Sequence, residues 1–321
     1  MTSVLRPARA LGALSALALL AACGASHPAR SAEQAARTKG STTTQHQVTA
    51  GSSATPTPAP DTPSAVATHF PVTQAMEALE VNGLARQYLV IAPTGTGPAT
   101  LPILLVLHGI SAPVGDEVTR DAFMPLVQDG EAELVYPVGI GESWNAGGCC
   151  GPAASLGIDD ESFLQDLVAT VDPGRGQPIY LVGYSNGGRM AYTIACDDPS
   201  LVDGYAIVKA VPLNPCDAQA PVTLLQIAGT ADWEVPYQPG DAGTESPPVT
   251  TQIALLQQSS GCAATNSTAI TGTLTLEVWT SCAQGTRLGL ASYAGDDHDW
   301  PPGNATTPSA ASAIAHYFGV A

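Results

Sequence analysis

The chain has 321 residues and carries 28 acidic against 11 basic side chains, a formal net charge of −17. The imbalance steepens in residues 71–321, where six basic residues (Arg86, Arg120, Arg175, Arg189, Lys209, Arg287) meet 26 acids. A surface this acidic repels phosphates, so nucleic acid is excluded as an expected partner and polyanionic substrates are disfavoured.

From the N-terminus, Arg6 and Arg9 precede an apolar run, Ala10 to Ala22, that is too short to span a bilayer and is built like the core of an export signal. It ends in Leu20-Ala21-Ala22-Cys23, which resembles a bacterial lipobox. That resemblance implies a lipoprotein signal peptide over residues 1–22, lipidation of Cys23, and attachment to a membrane surface. Residues 23–70 are rich in Ala, Ser, Thr, Pro and Gln without apolar periodicity. They predict a disordered tether, since no core can form to offset the entropy of ordering. His27, His46 and His69 lie in or beside it, too scattered for a metal site.

Residues 71–321 are enough for one domain with its own core. Ala78 to Pro93 reads as a hairpin turning at Asn82-Gly83. Leu101 to Leu107 is almost wholly apolar, as a strand buried on both faces must be. Leu134 to Tyr136 is a shorter strand, and Ile158 to Val171 a helix with Asp159, Asp160 and Glu161 in its first turn, where acids favour the dipole. Ile179 to Val182 is a strand, and Gly187 to Ala195 a helix. Strands follow at Tyr205 to Val211 and Val222 to Ala228, a helix at Gln252 to Ser259, strands at Leu274 to Trp279 and Arg287 to Tyr293, and a closing helix at Ser309 to Phe318. Alternating strands and helices predict an α/β fold, a mostly parallel central sheet with helices on both faces.

Between the Ile179 strand and the helix after it stands Gly183-Tyr184-Ser185-Asn186-Gly187. A G-x-S-x-G pentapeptide on a strand-to-helix turn is the nucleophile elbow, which thrusts the serine hydroxyl out of the sheet. A serine nucleophile needs a base to take its proton and a carboxylate to orient that base. Beyond the tether there are three histidines. His316 falls in the closing helix, far from any strand end; His108 begins a His-Gly pair at the end of the Leu101 strand. His298, in the loop after the last strand, is left as the base. The acid is expected between Ser185 and His298, after a strand, and Asp232 fits. The backbone N–H groups of Ile110 and Asn186 are assigned to an oxyanion hole. Trp144, Trp233 and Trp300 lie in loops near these residues and are candidates for a substrate-binding aromatic wall.

Six cysteines follow the signal, an even number that reads as disulfides in an exported chain. Cys262 and Cys282 flank a strand and are expected to pair. Cys149 and Cys150, being neighbours, are expected to reach out to Cys196 and Cys216 in an undecided order. No metal-binding spacing is present, and no cofactor is expected.

The motifs together resemble the extracellular α/β-hydrolase esterases of the polyhydroxybutyrate depolymerase and feruloyl esterase type. The matching pieces are Leu107-His108-Gly109, Ser143 to Gly151, Ile158-Asp159-Asp160, the elbow, Gly229-Thr230-Ala231-Asp232 with Val235-Pro236-Tyr237, Cys262 with Cys282, and His298-Asp299-Trp300-Pro301. They run in family order over roughly residues 80–318. The chain departs in having Ala228 before Gly229 and Asp296-Asp297 before His298. The resemblance implies an α/β-hydrolase catalytic domain over 71–321, a monomer that cleaves small or oligomeric esters through an acyl-enzyme. No separate polymer-binding module follows the closing helix, which turns the expectation toward hydroxycinnamoyl, acetyl or short hydroxyalkanoate esters. Polyester depolymerisation is the rival. Acyl transfer in the cell envelope and a non-catalytic binding role are the alternatives of another class.

Overall fold

The computed structural model describes residues 69–320 except 96–99, 175, 215, 217–219, 244–246 and 265. The expected signal, Cys23 and nearly all of the tether lie outside the described residues. In chain order the elements are β1 (Val72–Val81), β2 (Leu84–Pro93), β3 (Ile103–Leu107), α1 (Val114–Asp121), α2 (Met124–Gln128), β4 (Glu133–Pro137), α3 (Gly151–Leu156) and α4 (Asp160–Val171). Then come β5 (Ile179–Tyr184), α5 (Asn186–Asp197), β6 (Gly204–Val208), β7 (Leu224–Gly229), α6 (Val249–Ser259), β8 (Ser267–Thr271), β9 (Leu274–Trp279), β10 (Leu288–Tyr293) and α7 (Ala310–Phe318).

All ten strands form one sheet in the order β1-β2-β4-β3-β5-β6-β7-β10-β9-β8. The six from β4 to β10 are parallel, and antiparallel pairs close both edges. Every residue of β3, β6, β7 and β10 is buried, as parallel strands covered on both faces require. The two-residue period divides them between two cores. Leu105, Leu107, Leu181 and Ile207 pack with Phe163 and Leu167 of α4 and Met190 and Ile194 of α5. Leu104, Val106, Val182 and Val208 pack on the other face with Phe123, Val127, and Ile314 and Phe318 of α7.

Local chemistry sets the element ends. The β1–β2 turn places Asn82 at φ 52° and Gly83 at φ 79°, left-handed positions these residues tolerate best. Asp159 caps α4 by accepting from the Ser162 N–H at 3.0 Å. Strand β6 stops at Val208 rather than at Val211, because Lys209, whose N–H still donates to the Ile227 carbonyl at 2.9 Å, takes φ 54° and turns the chain out of the extended conformation. Among the described residues no helix is long and apolar enough to cross a membrane.

The disulfides correct one expectation. Cys262 pairs with Cys282, but Cys149 bonds Cys150, and Cys196 bonds Cys216. The Cys149–Cys150 peptide is cis, which sets the two Cα atoms 3.0 Å apart and the side chains on one side.

Candidate active site

Ser185 occupies the turn between β5 and α5 at φ 51°, ψ −116°, a conformation that costs free energy for any residue with a Cβ. Its N–H donates to the Val208 carbonyl at 2.9 Å, tying the turn to β6. Two glycines make the turn possible. A Cβ on Gly183 would stand 2.2 Å from the Gly187 carbonyl oxygen, and one on Gly187 would stand 2.4 Å from that of Leu107. No side chain fits either place.

The Ser185 Oγ lies 3.0 Å from Nε2 of His298, and Nδ1 of His298 lies 3.0 Å from both carboxylate oxygens of Asp232. The structure thus brings together the three residues singled out in the sequence. His316 is elsewhere, exposed on α7. Asp232 is nearly buried and its Oδ1 also accepts the N–H groups of Glu234 and Val235, each at 2.9 Å. Burial alone would push this carboxyl up. The hydrogen bond from His298, the Val235 N–H, the His298 charge and the Glu234 N–H outweigh it and hold Asp232 below the usual carboxylate range.

The loops after β7 and β10 are laced together. The Ala231 N–H donates to the Asp296 carbonyl, and the Gly295 N–H to Thr230 Oγ1, both at 2.9 Å. The backbone at His298 is gripped from below. Tyr184 donates its hydroxyl to the His298 carbonyl at 2.8 Å, and Lys209 donates its ammonium to the Asp297 carbonyl. Lys209 is buried, and burial lowers its pKa despite the nearby acids Asp232, Asp296, Asp297 and Asp299. Tyr184 and Lys209 escaped the sequence reading. The signal was there in Lys209, a cation at the end of an apolar strand, which must find buried acceptors.

His108 is buried, and burial lowers its pKa below the ordinary value. The Gly139 N–H donates to its Nε2 at 3.0 Å, so its own proton sits on Nδ1 and goes to the Gly109 carbonyl at 2.8 Å. That carbonyl shares a peptide plane with the Ile110 N–H, so His108 fixes where that N–H points. Gly109 stands against Ser185, a Cβ there being 3.7 Å from the serine Cβ. The Asn186 N–H is at the first position of α5, where a helix offers no internal acceptor. The Asn186 side chain clasps Trp144, accepting its N–H at 2.7 Å and donating to its carbonyl at 3.0 Å.

The aromatic wall is corrected. Trp144 is fully buried, stacked on Phe163 and donating its indole N–H to the His108 carbonyl at 2.9 Å. Trp300 is buried against Phe123 and Tyr184. Both anchor loops from inside, and Trp300 leaves only an edge on a cavity it lines with Arg120, Asp296, Asp297, Asp299 and Pro302. Only Trp233 is exposed, its ring 5.6 Å from that of His298.

A further carboxylate, Glu234, reaches the site. Its Oε2 is 3.5 Å from His298 Nε2, and its Oε1 is 3.4 Å from Arg189 Nη2. Arg189 also donates to the sulfurs of Cys149 and Cys150. The sequence reading passed over both residues, although an arginine in a buried helix had to imply an acidic partner. Among the described residues no group of three or more His, Cys, Asp or Glu side chains is arranged to hold a metal.

No protein-family model matches the chain. NocK of Nocardia uniformis subsp. tsuyamanensis, a protein named as an esterase, is 30% identical over 220 residues, 62% of this chain and 62% of NocK. Feruloyl esterase D of Neurospora crassa is 24% identical over 168 residues, 47% of this chain and 55% of that one. The chain therefore spans about three fifths of the length of the curated relatives it matches. The solved acetyl xylan esterase from Aspergillus awamori superposes with a TM-score of 0.52 at 13% identity, over 77% of this chain and 100% of that one. The fold is the α/β-hydrolase fold. In that fold a serine on the β5–α5 turn, an acid after β7 and a histidine after β10 stand at the C-terminal ends of parallel strands, where loops are free to vary around a rigid sheet.

Proposed function

We propose that this chain is an exported serine ester hydrolase, held at a membrane surface through lipidated Cys23, that cleaves carboxylic esters of hydroxycinnamoyl, acetyl or short hydroxyalkanoyl groups. The observation that carries the reading is the unbroken line of hydrogen-bond distances, 3.0 Å at each step, from the Ser185 hydroxyl through His298 to Asp232. The relatives named as esterases support it.

In this reading His298 Nε2 takes the Ser185 proton as Oγ bonds to the ester carbonyl carbon. The tetrahedral oxyanion is met by the N–H groups of Ile110 and Asn186. The carbon–oxygen bond to the alcohol then breaks, and His298 returns the proton to the departing oxygen. Water, deprotonated by the same nitrogen, attacks the acyl-enzyme and releases the acid. Asp232 keeps the proton of the neutral ring on Nδ1 and stabilises the imidazolium.

The test is turnover of p-nitrophenyl butyrate, methyl ferulate, acetylated xylan and polyhydroxybutyrate film by the purified protein and its Ser185→Ala variant. The expected result is turnover of at least one soluble ester, lost in the variant. Equal inertness of both proteins on all four would overturn the hydrolase reading and bring acyl transfer or ligand binding forward.

A further inference from the structure

The proposed reaction leaves the alcohol side of the ester unassigned, and two adjacent residues after β7, Trp233 and Glu234, lie beside the imidazole that must protonate it. Glu234 is braced at one oxygen by Arg189, whose side chain is 9% exposed, while its own side chain is 26% exposed. Arg189 is itself held, with Nη1 at 2.8 and 2.9 Å from the sulfurs of Cys149 and Cys150. The other Glu234 oxygen stands 3.5 Å from His298 Nε2, on the same nitrogen as the Ser185 hydroxyl. The neutral ring accepts from the serine at Nε2 and has no proton there to donate, so the second Glu234 oxygen stands beside that nitrogen as a further acceptor, at the edge where the leaving oxygen arrives. Beside it Trp233 presents a ring that is 63% exposed.

The departing oxygen has to come within roughly 3 Å of Nε2 to receive its proton. A group attached one carbon further along the alcohol then falls within reach of Glu234 Oε2. A carboxylate accepts hydrogen bonds and donates none. A hydroxyl there satisfies it. An ether or methyl group displaces its water without replacing the bond, and an anion is repelled.

We infer that Glu234 is a specificity-determining residue that selects esters whose alcohol carries a hydroxyl on the carbon next to the ester-bearing one, with Trp233 as the apolar face beneath that alcohol. Simple polyols present this arrangement. The inference rests on the ester hydrolase reading of the same site.

The experiment compares kcat/KM for 2-hydroxyethyl butyrate and 2-methoxyethyl butyrate in the wild type, Glu234→Gln and Glu234→Leu, with p-nitrophenyl butyrate as reference. Each ratio is taken within one protein, so changes in folded fraction or overall rate cancel. The expected ratio is about 10- to 100-fold for the hydroxyl ester in the wild type, the size of one hydrogen bond to a charged group. It should fall toward one in Glu234→Leu and be intermediate in Glu234→Gln, whose amide oxygen still accepts. A flat ratio in the wild type, or an undiminished one in Glu234→Leu, overturns the inference while p-nitrophenyl butyrate turnover leaves the hydrolase reading standing. A wild type that cleaves none of the three overturns the inference, and the hydrolase reading falls with it when methyl ferulate, acetylated xylan and polyhydroxybutyrate film are left intact as well.

Discussion

Ser185 sits at a positive φ on a turn closed in by Gly183 and Gly187, and neither glycine has room for a Cβ. A methyl group on Gly187 would enter the carbonyls of Leu107 and His108 at 2.4 and 2.6 Å. Gly187→Ala should therefore cost about 1–3 kcal/mol through forced displacement of α5 from β3, read as a lower urea midpoint. Asp232→Asn tests a different property of the same cluster. It keeps the shape but removes the charge that orients His298, so kcat should fall by about 10³–10⁴ with KM little changed. A fall of less than tenfold would mean that Asp232 does not orient the base. At this scale the serine, histidine and acid were legible because each is tied to a motif or a strand end. Glu234, Arg189, Lys209 and Tyr184 were not, because their contacts arise only when separate loops fold against each other. The buried indoles of Trp144 and Trp300 misled for a related reason: proximity in sequence to a site says nothing about which way a ring turns.

The elements carry their own electrostatics. Helix α1 buries two acids, Glu117 beside Arg120 and Asp121 beneath the Tyr136 hydroxyl, which donates at 2.7 Å. Burial pushes Glu117 up to about 7 and Asp121 up to about 8, only partly opposed by their hydrogen bonds and the Arg120 charge. In an unfolded chain both would titrate near 4. Between roughly pH 4 and 8 the folded state thus holds more protons than the unfolded one, and stability falls as pH rises through that window. Asp121→Asn should flatten the fall, seen as urea midpoints that differ less between pH 5.5 and 8.5 than in the wild type. Asp232 acts in the opposite sense, its stabilisation being lost only as pH drops through its depressed pKa. Cys262–Cys282 closes a sequence separation of 20 residues around the β8–β9 hairpin. Its removal in the double Ala variant should cost about 3 kcal/mol, measured by denaturant unfolding. The strands and longer helices could be read from the sequence because burial imposes a period on them. Helices α1 to α3 went unread. They have five to eight residues, and α1 turns acids inward. Strand β8 is exposed along its whole length and so bears no apolar alternation.

Across the described domain, the parallel strands from β4 to β10 form a platform whose C-terminal ends hold Ser185, Asp232 and His298 on three different loops. The fold class was legible because strands buried on both faces alternate with helices. The strand order was not, since nothing local says that β4 lies outside β3 or that β10 inserts beside β7. The sheet fixes the strand ends, and the lacing of the β7 and β10 loops brings His298 to the serine. The claim that unites these observations is that Ser185 is a nucleophile made reactive by His298. The most direct measurement is intact-mass analysis after exposure to diethyl p-nitrophenyl phosphate, with peptide mapping of the product. The expected product carries a single diethylphosphoryl group on Ser185, absent from Ser185→Ala and formed at least about 100-fold more slowly in His298→Ala. A wild type that cleaves p-nitrophenyl butyrate yet takes up no label, or takes it up on another residue, would contradict it.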